Sequence, residues 1–396
     1  MVYDIIIVGS GIAGLYTAYN IKKMYPKLSF LILEKNTKKN IGGRMNNYNF
    51  KGTNVNIGAG VGREKKDNLL INLLKELNIN YSTYSNIINY SNNINRVDIN
   101  YIFDILKKKY NYEKKTFKEF ALPILGLTLY NDLIVMIGYS DFENEDIYEV
   151  LYHYGIEDAQ AGWTCMKILW LDLLNKLILN IGYKNIKTSN NVKSIKNNNE
   201  FYYIYTDKYI YITKKIIIAS TIDTVKKLLP KYTIYNQIYG QPFLRVYGQF
   251  SKSSIPIISK YVTATTIVSS ELKKIIPITS DIYMIAYTDN NDALYFKENN
   301  RLINNTINKN FYCRLIEKSL GIIENSLELV DIKSFYWKIG THYFEPLSNE
   351  YKNREEFIIK AQNPIFNIFV VGEMISRNQG WTLGALESVE KILNII

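Results

Sequence analysis

Six residues near the amino terminus, Gly9-Ser10-Gly11-Ile12-Ala13-Gly14, restrict this chain more than any other stretch. They follow an apolar, β-branched run at residues 3–8 that reads as a buried parallel strand. They lead into Leu15-Tyr16-Thr17-Ala18-Tyr19-Asn20-Ile21, which reads as a helix. Gly9 permits a tight turn out of the strand, Gly11 lets the backbone approach a pyrophosphate, and Gly14 lets helix and strand pack closely. Phosphates then meet the unpaired N–H groups of the helix start, around Ile12 and Ala13. A second apolar run, residues 28–33, ends at Glu34, with Lys35 beside it at the nucleotide edge. Glu34 lies 20 residues past Gly14, where a carboxylate accepts hydrogen bonds from ribose hydroxyls and repels a 2′-phosphate. Strand, glycine turn, helix and acid at this spacing predict a dinucleotide-binding βαβ unit.

Gly42-Gly43-Arg44 narrows the cofactor, because a nicotinamide enzyme has no general need for a second glycine pair with arginine at this place. With this motif the chain resembles the flavin-containing amine oxidase family, the monoamine and polyamine oxidase-like FAD oxidoreductases. The resemblance implies that Arg44 stands beside the FAD phosphates, a task suited to a permanently charged guanidinium. It implies that Gly58 and Ala59, in Val55-Asn56-Ile57-Gly58-Ala59-Gly60, lie near the flavin, with Asn56 where the family usually has Asp. It assigns Val192 to the adenine end and Ala219 to the nucleotide, and adds Trp337 to the cofactor-binding set. The closing block, Gly372-Glu373 followed by Gly380-Trp381-Thr382-Leu383-Gly384-Ala385-Leu386-Glu387-Ser388, is the second strong match. There Glu373 would bond the ribityl chain, and a helix from Thr382 would aim N–H groups at the flavin N1–C2=O edge.

The expected fold is α/β: a Rossmann-like FAD-binding domain from residues 1–64, 184–234 and 355–396, with an α+β substrate domain from 65–183 and 235–354. The chain has 396 residues and 47% apolar content, enough for two cores. Helices are expected over 69–77, 97–110 and 115–131, the last kinked or broken at Pro123, and along an apolar stretch from Met166 to Ile178. Strands are expected at 191–195, 201–206, 209–213, 215–221, 243–250, 261–268, 282–288, 330–337 and 367–373, with a helix near 300–320. The net charge of +11 is spread along the chain, and its densest cluster, Lys107-Lys108-Lys109 with Lys114-Lys115, reads as a solvated helix face. It does not read as a nucleic-acid patch, although the basic balance suits an anionic group on the substrate. Two cysteines, Cys165 and Cys313, form no framework and point to a reducing, cytoplasmic setting. No signal peptide, zinc-ligand spacing or membrane span is expected. Heavy use of Asn, Ile, Lys and Tyr suggests an A/T-rich genome such as that of a large DNA virus, in which case virion association is expected.

In the family the flavin takes a hydride from the carbon next to an amine nitrogen, and oxygen reoxidises it to give hydrogen peroxide. The resemblance places three residues at this chemistry. Tyr343 and Trp381 would flank the substrate nitrogen as an aromatic pair. Arg245 stands where the family has a lysine that holds water against flavin N5, a departure that matters because arginine does not release a proton. His342 aligns with the position of covalent flavin attachment, but non-covalent FAD is expected. His153, with no partner triad, reads as structural. Two alternatives remain: other flavin chemistry on the same fold, as in desaturases or UDP-galactopyranose mutase, or a non-catalytic FAD-bound structural protein.

Overall fold

The computed structural model describes residues 1–198 and 200–396. Its organising element is the strand Val2–Val8, paired in parallel with Phe30–Leu33 on one edge and Ile210–Ile218 on the other. Ile5, Ile6, Ile7 and Val8 are buried on both faces, which explains a run without polar alternation. The sheet extends in parallel to Ile186–Lys187 and Ile368–Val370, and in antiparallel fashion through Tyr202–Thr206 to Val192–Asn197. Among the described residues it has seven strands, drawn from three separate stretches of the chain.

Helices cover both faces. Ile12–Met24, Asn68–Glu76, Trp170–Ile181 and Thr382–Glu390 share one core with Ile5, Ile7 and Phe369. Ile222–Leu228 and Arg354–Gln362 cover the other face around Ile6, Val8 and Ile218. A second sheet, of six strands among the described residues, is built on the long antiparallel ribbon of Ile238–Phe250 with Leu329–Phe344. Asn290–Glu298 and Thr306–Leu320 back this sheet through Phe296, Tyr312 and Ile316. Ile99–Lys109, Phe117–Ile137 and Ile147–Tyr152 form a separate helical core around Phe117 and Phe142.

Several expected elements fall differently. Met166 lies on the strand Thr164–Lys167, and the helix begins only at Trp170. The expected strands 209–213 and 215–221 are one strand, Ile210–Ile218, antiparallel to Tyr202–Thr206 in its first half and parallel to Val2–Val8 and Ile368–Val370 farther on. The expected strand 261–268 shrinks to Thr265–Ile267, because a helix started by Pro256 runs to Tyr261. The break in Phe117–Ile137 comes at Gly126, at φ 72° and ψ 162°, and not at Pro123. Only glycine enters that backbone region cheaply, so the chain bends where it has one. Among the described residues this helix alone is long and apolar enough, by length and composition, to cross a membrane. The break divides it into two segments, each well below the roughly 20 residues a span needs.

Candidate functional site

The glycine turn is built as its chemistry requires. A Cβ on Gly9, which has φ +111°, would lie 2.3 Å from the carbonyl oxygen of Ala219. A Cβ on Gly14 would lie 2.1 Å from the Gly9 carbonyl oxygen and 3.3 Å from Ala219 Cβ. A Cβ on Gly11 would meet nothing within 4 Å, so it would project into open space in front of Ile12 and Ala13. Gly11 caps the first helix without any side-chain bond, leaving the helix's positive end uncovered. Gly42 donates to the Ser10 carbonyl at 2.9 Å, which brings Gly43 against Gly11 as the opposite wall. Glu34 is buried; its Oε2 accepts from the backbone N–H and hydroxyl of Ser10, and its Oε1 from Asn36 N–H. Asn190 donates to the Glu34 carbonyl, which sets Val192 near this edge, whereas the Lys35 side chain is exposed.

The segment Asn56–Gly60 is clamped between the two halves. Trp337 Nε1 donates to Ile57 O at 2.6 Å, Tyr247 Oη to Asn56 O at 2.7 Å and Trp170 Nε1 to Ala59 O at 3.0 Å. Asn56 Nδ2 donates to Gly60 O at 2.6 Å, a bond an ionised Asp could not make, which gives Asn at this position a physical reason. Gly58 must be glycine, because a Cβ there would lie 2.2 Å from the Arg44 carbonyl oxygen. Arg245 reaches the same segment: a Cβ on Gly60 would be 3.1 Å from its Nη2. Its guanidinium is buried over the Tyr287 ring, at 4.3 Å from the centroid. Lys274, also buried, sits on the neighbouring ring of Tyr139, and burial pushes its amine down to about 7.

Arg44 and Glu373 meet directly, Nη1 to Oε1 at 2.7 Å, and Arg44 also donates to the Gly340 carbonyl at 2.8 Å. His342 joins them through Nδ1 on the same Glu373 oxygen, while its Nε2 accepts from the Ile222 N–H at 3.2 Å. That pattern puts the ring proton on Nδ1. Burial alone would raise the Glu373 carboxyl, but His342 and Arg44 outweigh it and hold the group at about 2.

Tyr343 and Trp381 each contact a further aromatic ring. Tyr343 stacks on Tyr239 at 5.9 Å, whereas Trp381 lies edge-on to Trp163 and carries the Arg63 guanidinium 3.9 Å above its ring. Tyr343 pairs with Tyr239 while Arg245 pairs with Phe335 on the same ribbon. Six residues of strand, about 20 Å when extended, therefore separate Arg245 from the Tyr239–Tyr343 step. Arg63 is the site residue that sequence reading missed. It is buried, bonded to Asp67 and Asp158, and stacks on the face of Trp381. Trp381 in turn caps the last helix without a side-chain bond, so Thr382 starts a second uncovered helix end. His153 ends the helix Ile147–Tyr152 and contacts Arg377.

The residues fit an anionic dinucleotide on structural grounds. The Gly11 cradle is open, and neither the helix start behind it nor the one at Thr382 carries a capping side chain. Other helices, among them Asn68–Glu76, Trp170–Ile181 and Asn290–Glu298, also start without a side-chain cap, so the fit rests on the open glycine cradle in front of the first helix.

A family model described as an NAD(P)-binding Rossmann-like domain matches residues 7–77. No curated protein matches the sequence. Cyclohexylamine oxidase from Brevibacterium oxydans IH-35A superposes with a TM-score of 0.76 at 13% identity, covering 100% of this chain and 98% of its own. Putrescine oxidase bound to putrescine gives 0.74 at 13% identity, with coverage of 100% and 98%. A protein assigned as a protoporphyrinogen oxidase, from Exiguobacterium sp. 255-15, gives 0.71 at 14% identity, with coverage of 99% and 98%. The chain therefore has the two-part α/β architecture of these oxidases over its whole length, with its nucleotide-binding half of Rossmann type.

Proposed function

We propose that this protein is an FAD-dependent oxidoreductase of the amine oxidase type. The supporting observation is the open Gly11 cradle at an uncapped helix start, joined through Arg44 and Glu373 to a second uncapped start at Thr382. FAD, when bound, would accept a hydride at N5 from the carbon next to a substrate amine and pass the electrons to dioxygen as hydrogen peroxide. Gly11, Ile12 and Ala13 would hold the pyrophosphate on backbone N–H groups, and Glu34 would take the adenosine ribose. Arg44 would balance phosphate charge, and Glu373 would turn its carboxylate to the ribityl hydroxyls. The Thr382 helix start would supply positive potential at the ring's polar edge. Arg245 cannot act as a base; its buried cation against Gly60 is suited to stabilising negative charge that develops beside it. Both ring nitrogens of His342 are engaged, which supports non-covalent attachment.

The test is anaerobic mixing of the FAD-loaded protein with a panel of mono-, di- and polyamines. Bleaching of the flavin band, and peroxide formation in air, are expected. A flavin that stays oxidised with every amine would refute the reading. Arg245 in place of lysine favours a second reading, other flavin chemistry on this fold, for which turnover of a sugar nucleotide or release of label from a desaturated carbon is the readout.

A further inference from the structure

Of the four tryptophans in the chain, three are held by their indole N–H groups. Trp170 donates to the Ala59 carbonyl, Trp337 to the Ile57 carbonyl and Trp163 to the Asp158 carbonyl, the last at 3.2 Å. Among the described residues Trp381 makes no such bond. Its ring meets a cation on one face and stands edge-on to Trp163, with centroids 6.5 Å apart. The ring is half-buried, and the residue caps the last helix without a side-chain bond. The cation is Arg63, whose Cζ lies 3.9 Å from the ring centroid.

Arg63 is itself immobilised. Its Nε and Nη2 donate to Asp67 Oδ1 at 3.0 and 2.8 Å, and its Nη1 donates to Asp158 Oδ2 at 2.8 Å. Asp67 Oδ2 accepts from the Arg63 backbone N–H at 2.7 Å, which ties that carboxylate to the same residue twice. Bonds from every guanidinium nitrogen to two buried or nearly buried carboxylates fix the plane of the group as well as its charge. Asp158 serves both rings, since its carboxylate holds Arg63 and its carbonyl holds Trp163. Half-buried Lys66 satisfies the other Asp158 oxygen at 2.8 Å.

We propose that Arg63 is the positioning residue of Trp381: its anchored guanidinium sets the plane of a ring that no hydrogen bond holds, and so shapes the wall of the candidate site at the start of the last helix. A flat cation covers the face of an indole, whereas an ammonium is a point charge that leaves the ring free to rock. Arg63 acts on turnover only through Trp381. The consequence for turnover rests on the amine oxidase reading; the placement of the ring does not.

The full chain carrying fluorotryptophan is read by fluorine NMR before and after FAD loading. One resonance per tryptophan is expected, and that of Trp381 is assigned by its loss in Trp381→Leu. Arg63→Lys keeps the charge and offers no plane. It should shift or broaden the Trp381 resonance and leave those of Trp170 and Trp337 in place. Asp158→Asn is the second variant, chosen because the carbonyl that holds Trp163 stays; it should move the same resonance. Lys66→Met, which removes only the outer partner of Asp158, should leave the Trp381 resonance where it is. Anaerobic flavin reduction, with whichever of the mono-, di- and polyamines bleaches fastest, gives the second readout. Arg63→Lys should slow reduction about 10- to 100-fold, the scale of a wall displaced by roughly 1 Å, while KM changes less than about threefold. In the Trp381→Leu background the same substitution should change the rate less than about twofold, because the ring it positions is gone. A Trp381 resonance unmoved by both Arg63→Lys and Asp158→Asn would overturn the assignment. So would an unchanged reduction rate, or a loss equally large with and without the ring. A moved resonance in a protein whose flavin no amine bleaches would keep the placement of the ring and remove the oxidase reading. Bleaching with an unmoved resonance would do the reverse.

Discussion

Replacing Gly11 with alanine separates a cofactor cradle from a merely structural turn. Gly11 has φ −67° and ψ 177°, which any residue adopts, and a Cβ there meets no heavy atom within 4 Å. Alanine lowers unfolded-state entropy by about 0.4–1 kcal/mol and loses a similar amount as a poorer N-cap. Stability should therefore change by less than about 1 kcal/mol. The methyl group would occupy the space through which a pyrophosphate must approach the helix start. Each charge-assisted bond to phosphate lost costs about 1.5–3 kcal/mol, a weakening of roughly 10- to 150-fold. Quenching of FAD fluorescence on titration with apoprotein reads the affinity, and calorimetric melting reads the fold. Gly14→Ala is the contrasting variant, since its Cβ would lie 2.1 Å from the Gly9 carbonyl oxygen and should cost about 1–3 kcal/mol of stability. A folded Gly11→Ala protein that binds FAD as tightly as the wild type would refute the reasoning.

Glu373→Gln should cost about 3 kcal/mol at neutral pH, because Arg44 and His342 lose their shared buried charge. Glu373 has a depressed folded pKa, so its contribution is present above its ordinary value of 4.5 and disappears as the pH falls toward about 2. Urea unfolding at a series of acid pH values should show this loss in the wild type and not in the variant. Lys274 is depressed from 10.5 to about 7, so between these values the unfolded chain binds more protons and stability rises with pH. Relative to Lys274→Met, the wild type should gain up to about 1.4 kcal/mol per pH unit across that window, measured by the same method. Gly126→Ala meets no neighbour within 4 Å yet should lose about 1–3 kcal/mol, because φ 72° with ψ 162° is closed to alanine; chemical denaturation checks it.

The glycine turn was legible because each of its residues answers a local demand: Gly9 and Gly14 meet backbone at contact distance, and Gly11 faces open space. The Rossmann half could be read from the ends of the chain for the same reason, since its parallel strands are short apolar runs punctuated by glycine and acid. Arg63 was not legible. It bridges Asp67, four residues on, to Asp158, 95 residues on, and no periodicity records the second partner. Met166 misled because its spacing to Leu169 and Trp170 suits a helix, while its pairing with Thr83 and Gly62 depends on remote strands. Pro123 drew attention from Gly126 because proline advertises a break in sequence, whereas the positive φ that makes one is a property of the folded chain. The stacking of Tyr343 on Tyr239 follows from the register of the ribbon, with its bulge between Gln241 and Phe243, and no local pattern records that pairing.

The most direct measurement is the flavin content of the purified chain after incubation with FAD and removal of the excess. One FAD per chain is expected, released intact when the protein is denatured. A folded chain that stays colourless, with no FAD retained, would contradict the groove from Gly11 to Thr382 as a cofactor site.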